Sequence, residues 1–206
     1  MRFGLLVALF FSFSTAQAYY SVMDTGKIVP TGKYRIIAGP QFITTGENDG
    51  VNIAGRFDAG VSESTTIRAT AGAGNSDLFY TGLFAKYVPF PDFENQPALG
   101  FIGGITYARE NIGSENEDVL TMRFSPIASK DFETDIGLVT PYAALPISIA
   151  FADGGTIYPV QAVGGAEFKP YSWENVSFIG ELGIKINKAF TYVAFGVIFE
   201  FSDSNF

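Results

Sequence analysis

Cysteine and histidine are both missing from this chain of 206 residues. The lack of histidine excludes Ser-His-Asp and Cys-His catalysis and every His-based zinc site. The lack of cysteine leaves an exported fold to be held by strand pairing and burial alone. Positive charge is scarce too: 13 Lys and Arg stand against 21 Asp and Glu, a net charge of −8, so a nucleic-acid partner has no electrostatic support. Beyond the first eighteen residues no apolar run approaches the roughly 20 residues that a membrane helix requires. Membrane residence, if any, must use strands.

Acidic residues gather between the alternating runs, at Glu47-Asn48-Asp49, Glu110, Glu115-Asn116-Glu117-Asp118 and Asp131-Phe132-Glu133. They read as solvated turns, and none has the D-x-D-x-D-G spacing of a calcium loop. No two carboxylates stand out as an acid pair. The expectation is therefore no enzyme, no metal site and no cofactor.

Four regions follow from the chain in order. Residues 1–18 form a secretory signal peptide: Arg2 is the positive start, Phe3 to Phe13 the apolar run, and Ala16-Gln17-Ala18 the small-x-small site, with cleavage before Tyr19. Shedding Arg2, the one charge in that stretch, takes −8 to −9. Residues 19–32 are expected as an N-terminal periplasmic segment, 33–201 as a β-barrel and 202–206 as a C-terminal tail.

From Lys33 onward the hydrophobic period is two. Tyr34, Ile36, Ala38, Pro40 and Phe42 share one side of the first strand; Val51, Ile53, Gly55, Phe57, Ala59 and Val61 continue on the second. The pattern returns in 65–73, 79–87, 99–109, 120–128, 158–168, 176–186 and 191–201, between turns rich in Gly, Asn, Asp and Ser. Between Asp135 and Phe151 the apolar side changes from even to odd positions, and Pro141 and Pro146 cannot donate to a ladder. A bulge within one strand is expected there. The strands total about ten, with eight or twelve open, and most have the 9 to 11 residues of a tilted membrane strand.

Two features favour lipid as the partner of the apolar side. The opposite sides carry Gly, Ala, Ser and Thr with only one or two charges each, which suits a confined lumen better than a water-facing surface. Aromatic residues also fall near strand ends on the apolar side: Tyr34, Phe42, Phe79, Tyr87, Tyr107, Tyr158, Phe168 and Phe201, with Tyr171 and Trp173 as anchors at a turn. Lipid forbids open sheet edges, so the strands must close. The expected fold is all-β, a closed antiparallel up-and-down transmembrane β-barrel.

An export signal, short strands of dyad periodicity, tight turns and an aromatic last strand together resemble the small β-barrel outer-membrane proteins of Gram-negative bacteria. The resemblance covers the chain from about Lys33. It implies an outer-membrane location, outer-membrane lipid and the barrel assembly machinery as partners, and an assembly signal matched by Phe195, Val197, Phe199 and Phe201, with Phe206 as the terminal residue. It names no substrate.

Inward-facing charges would be Lys33, Arg35, Arg56, Arg68, Lys86 and Arg123 with Asp58 on the early strands, and Glu167, Lys169, Glu181, Lys185 and Glu200 on the last three. Closure brings the last strand beside the first, so Arg35 and Glu200 are expected to pair across the seam. Charges in a narrow lumen need partners, and Tyr80, Phe84 and Tyr192 would help to fill it. A structural envelope protein with a filled, charge-networked lumen is the leading reading. The alternatives are a small anion-preferring pore and a secreted, lipocalin-like ligand-binding barrel, which would turn its apolar side inward.

Overall fold

The computed structural model describes residues 21–202, apart from 45–48, 76, 95 and 113–114 and the side chains of 111, 112 and 115. The expected signal peptide and Phe206 lie outside the described residues. The strands are β1 (Lys33–Ile43), β2 (Gly50–Gly60), β3 (Thr65–Gly74), β4 (Asp77–Phe90), β5 (Ala98–Ile112), β6 (Glu115–Ser129), β7 (Phe132–Thr134), β8 (Gly137–Ala144), β9 (Ile147–Ala152), β10 (Gly155–Ile157), β11 (Val160–Pro170), β12 (Val176–Asn187) and β13 (Tyr192–Ser202). Each long strand pairs antiparallel with the next, and β13 returns to β1 from Tyr34↔Phe201 to Ile43↔Tyr192. The sheet is thus a closed up-and-down barrel. β8 and β9 succeed each other between β6 and β11 as one stave, with β7 and β10 as short hairpin partners at its two ends. The barrel has ten staves.

Alternation decides which face meets the surroundings. Outward positions are apolar and open, with Ile53 69% exposed, Leu83 60% and Met122 51%, while the inward Arg68 and Lys86 are 2% and 1% exposed. This arrangement reverses that of a soluble ligand-binding barrel. A continuous hydrocarbon-like belt surrounds a polar, filled interior, as a transmembrane barrel requires.

Four inward rings lie flat on glycines that are their direct cross-strand partners. Tyr80 faces Gly72, Phe84 faces Gly104, Tyr142 faces Gly165, and Tyr192 faces Gly183. A methyl group at any of these glycines would penetrate the ring. The glycines therefore let large rings fold down along the wall of a narrow lumen. On the outer face, Phe124 stands opposite Gly103 and stacks on Phe101 at 5.4 Å, so rings also occupy the belt between its edges.

The expected phase slip between 135 and 151 is absent. Thr140, Tyr142, Ala144, Pro146, Ser148 and Ala150 all point inward. The pairs Ile127↔Ala144 and Phe124↔Ile147 keep one register across the break, as do Val163↔Ala144 and Val160↔Ile147 on the other side. No bulge forms there; the missing donor of Pro146 merely interrupts the ladder. The misleading signal came from Ile136 and Leu138. Ile136 lies in the turn after β7 and is 71% exposed, and Leu138 is half-buried where β8 leaves that turn.

The end where β1 begins and β13 finishes is the proximal end. Its turns are cross-linked: Asp92, after β4, accepts hydrogen bonds from Lys130 Nζ and from the Asp131 amide at 2.7 Å, while Lys27 Nζ lies 3.2 Å from Asp131 Oδ1. Partial burial opposes ionisation of Asp92, but these hydrogen bonds and the Lys130 and Lys27 charges outweigh it and hold the carboxyl below its ordinary range. Such a group stabilises the fold above its unfolded value of about 3.9 and stops doing so as pH falls through its lower folded value. NMR titration of the Asp131 amide is expected to show a midpoint below about 3.9. The outward belt has its own test. Leu83→Arg is expected to weaken folding into lipid vesicles by about 2–4 kcal/mol, and an unchanged denaturant midpoint would contradict the assignment of this face to lipid.

Candidate functional site

One transverse row carries the charge pattern of the interior. Glu200 of β13 is the cross-strand partner of Arg35 in β1, Arg35 of Asp58 in β2, and Asp58 of Arg68 in β3. The same row continues through Phe84, Gly104 and Arg123. Four neighbouring charges thus alternate in sign around the wall. Arg35 Nε lies 3.3 Å from Glu200 Oε1, Arg68 Nε donates to Asp58 Oδ1 at 2.9 Å, and Arg56 Nη2, one step further along β2, lies 3.0 Å from Asp58 Oδ2. Opposite charges on adjacent strands attract where a lipid-clad barrel leaves little water to screen them.

Arg35 also reaches a second acid. Its Nη2 donates to Glu167 of β11 at 2.8 Å, and Ser177 Oγ donates to the other Glu167 oxygen at 3.1 Å. Lys169 Nζ donates to Glu200 at 2.7 Å nearer the proximal rim, where both side chains are a third exposed. Arg123 lies with its Cζ 4.7 Å from the centre of the Phe84 ring, a cation–π contact.

The middle of the lumen is occupied by the chain's own N-terminal segment. Residues 19–32 were expected in the periplasm, yet their described part, 21–32, turns into the barrel from the proximal end. Asp24 is 1% exposed there, and Val22, Met23 and Thr25 are equally buried. The Asp24 carboxylate accepts from Arg68 Nη2 and from Lys86 Nζ at 3.1 Å, with Arg56 Nη2 at 3.8 Å. The same cations hold the adjoining backbone. Arg56 Nη1 donates to the carbonyls of Val22 and Met23 at 2.9 and 2.7 Å, and Lys86 Nζ donates to those of Thr25 and Lys27 at 3.3 and 2.5 Å.

Glu181 of β12 anchors the segment from the other wall. It accepts the amide of Val22 at 2.8 Å and that of Met23, together with the hydroxyls of Tyr142 at 2.7 Å and Tyr192 at 2.5 Å. Four neutral donors therefore converge on one buried carboxylate. Further along, the Gly26 amide donates to Ser129 Oγ at 2.9 Å, and the Val29 amide to Thr66 Oγ1 at 3.3 Å. At the rim, Gly60 allows the carbonyls of Val29 and Pro30 to cross where any side chain would collide. The physical reason for the revised placement is charge. Arg56, Arg68 and Lys86 cannot be neutralised by Asp58 alone, and Asp24 supplies the second acid.

The other inward candidates divide between lumen and rims. Lys33 and Lys185 are exposed, Lys33 at the proximal rim and Lys185 near the far end of β12, so neither belongs to the central network. Glu110 also departs from expectation: it is inward and 1% exposed, paired across strands with Asp77 instead of lying in a solvated loop. Asp77 accepts from Asn52 Nδ2 at 2.5 Å, a distal polar pair that alternation could have indicated because Asn52 lies on the side of Arg56 and Asp58. Outside, Tyr34 stacks between Phe57 and Phe201 at 5.7 and 5.5 Å, and Trp173 contacts Phe178 at 5.4 Å, all toward the proximal end. Phe79 and Tyr107 meet at 5.8 Å near the opposite end. Phe195 and Phe199 point outward from β13 and are about half exposed, while Val197 and Phe201 share their face and are half-buried. Among the described residues no group of three Asp or Glu side chains is placed to hold a metal ion.

Removing one partner from the seam should separate buried from exposed pairs. Arg35→Met leaves Glu167 buried without its guanidinium and is expected to cost about 3–5 kcal/mol. Lys169→Met, at the rim, is expected to cost at most about 1 kcal/mol. Denaturant unfolding in one detergent compares them, and equal losses would show that burial does not govern this row.

No family model matches the chain, and no curated protein matches it in sequence. A de novo designed transmembrane β-barrel overlays 85% of this chain and 100% of its own, at 12% identity and a TM-score of 0.39. An outer membrane channel from Pseudomonas putida F1 overlays 89% of this chain and 100% of its own, at 7% identity and a TM-score of 0.45.

Proposed function

We propose that the chain is an integral protein of the bacterial outer membrane with a structural role in the envelope, its barrel sealed from within by residues 21–29. The observation that carries this reading is Asp24, held without access to solvent among Arg56, Arg68 and Lys86. A lumen whose central cations are neutralised by its own chain offers no free ring to passing ions. Catalysis forms no part of the reading, because the buried acids are engaged in holding structure and the chain has no histidine.

The location rests on the apolar belt, on ring closure and on the export signal ending at Ala18, with cleavage before Tyr19. The proximal end then faces the periplasm, since both ends of the barrel domain emerge there. Outer-membrane lipid covers the belt, with Tyr34, Tyr87, Phe168, Tyr171, Trp173 and Phe201 near one interface and Phe42, Phe79, Tyr107 and Tyr158 near the other. The outward alternation of β13, the strand that closes the ring, suits recognition by the barrel assembly machinery.

The mature protein, reconstituted in planar bilayers, is expected to pass no steady current while showing the heat-modifiable gel migration of a closed barrel. Steady single-channel steps from correctly folded protein would overturn the sealed reading.

A further inference from the structure

Arg56, Arg68 and Lys86 form an arrangement that has the properties of a receptor for a carboxylate. Two of the three donate hydrogen bonds to Asp24 oxygens, all three lie within ion-pair distance, and each is fixed by a second contact: Arg68 and Arg56 by Asp58, Lys86 by the carbonyls of Thr25 and Lys27. What they bind is one side chain on a segment outside the ladder of the ten staves. The side chain is an ordinary carboxylate. Its backbone is held to the wall by side chains, with Glu181, Ser129 and Thr66 accepting its amides and Arg56 and Lys86 donating to its carbonyls, and by a short bridge from Thr31 to Gly60.

We propose that this cluster is a binding site for a small free carboxylate, and that Asp24 is its tethered occupant. The proposal rests on the sealed reading above and names the ligand class of the same site. Without Asp24, three cations would face only Asp58, leaving an excess of buried positive charge that is costly unless an anion enters. A carboxylate fits better than a spherical ion because the donors reach two separate oxygens, Lys86 on Oδ1 and Arg68 on Oδ2. A cleft of about 220 Å³ opens beside the segment at the proximal end, lined by Lys27, Val29, Pro30, Lys33, Arg35 and Glu200. Its Lys27, Lys33 and Arg35 outnumber Glu200, so the cleft attracts anions more than cations.

The test uses the full mature chain carrying Asp24→Gly, which removes the tethered carboxylate and leaves space for formate. Unfolding temperature is measured in detergent with sodium formate, sodium acetate or sodium chloride at one ionic strength. The variant is expected to unfold at a lower temperature than the native chain, and formate to restore most of the difference, half-maximally at roughly 10 mM as befits an untethered ion. Chloride should restore little. The native chain should respond to none of the salts, and Lys86→Met added to Asp24→Gly should abolish the formate effect. Equal responses to formate and chloride, or no response to either, overturn the proposal.

Should Asp24→Gly fail to assemble even with formate, Asp24→Asn fills the seat without the charge. It is expected to assemble and to unfold at a lower temperature than the native chain. Heat resistance equal to the native chain would overturn the charge-based site. Conductance keeps the two readings apart: current through the native chain refutes the seal, whereas a silent native chain whose Asp24→Gly variant ignores formate refutes only the carboxylate site.

Discussion

The ion contacts of Asp24 are the interaction on which the interior depends. Hydrocarbon outside the barrel denies the inward charges any route to bulk water through the wall, so each must be satisfied within the lumen. Arg56, Arg68 and Lys86 share a short stretch of β2, β3 and β4, and Asp58 can compensate only part of their charge. Asp24 brings the balance close to neutral. It also orders the backbone beside it, because the same cations take the carbonyls on both sides. Charge compensation and the seating of residues 21–29 in the lumen thus go together.

Shape follows a parallel rule. A ten-stave barrel is narrow, and its interior must hold a polypeptide segment as well as four rings from the walls. Pairing each ring with a glycine on the adjacent strand solves the problem, since Tyr80, Phe84, Tyr142 and Tyr192 lie along the sheet instead of across the lumen. The hydroxyls of two of them then converge on Glu181, while Phe84 carries the Arg123 guanidinium. Packing and polar satisfaction are met by the same side chains, which leaves the interior few ways to rearrange without losing both.

Alternation made the wall legible. A period of two assigned the inward and outward sides from Tyr34 to Phe201 correctly for nearly every residue, and chain closure placed Glu200 beside Arg35 at an ion-pair distance of 3.3 Å. Failures came where a residue lies near a strand end or outside the strands. Ile136 imitated a phase change because turns are free of the period, Lys185 took the inward side but stands beyond the enclosed part of the lumen, and Glu110 resembled a loop acid although β5 extends past it. The segment 21–32 carries no alternating pattern and no repeat, so its sequence does not mark it as part of the interior. Its one sequence-level trace was an imbalance: the early strands offered Lys33, Arg35, Arg56, Arg68, Lys86 and Arg123 inward against Asp58 alone, so acids had to arrive from elsewhere in the chain.

The origins of those acids link the seated segment to closure of the ring. Glu167 and Glu200 come from the last staves and reach Arg35 only across the β13–β1 seam. Asp24 comes from the N-terminal side, but its neighbours Val22 and Met23 are held by Glu181, 159 and 158 residues away in sequence. Contacts of such separation carry the full entropic cost of loop closure until the intervening staves are in place. Before the seam forms, Glu181 and the Arg56–Arg68–Lys86 cluster stand on parts of the sheet that nothing yet brings together, and the segment can satisfy one wall but not both. Once β13 pairs with β1, both walls are fixed and the segment bridges them. The seated segment in turn joins β2, β3 and β4 to β12 through the lumen, on a path independent of the hydrogen bonds of the seam.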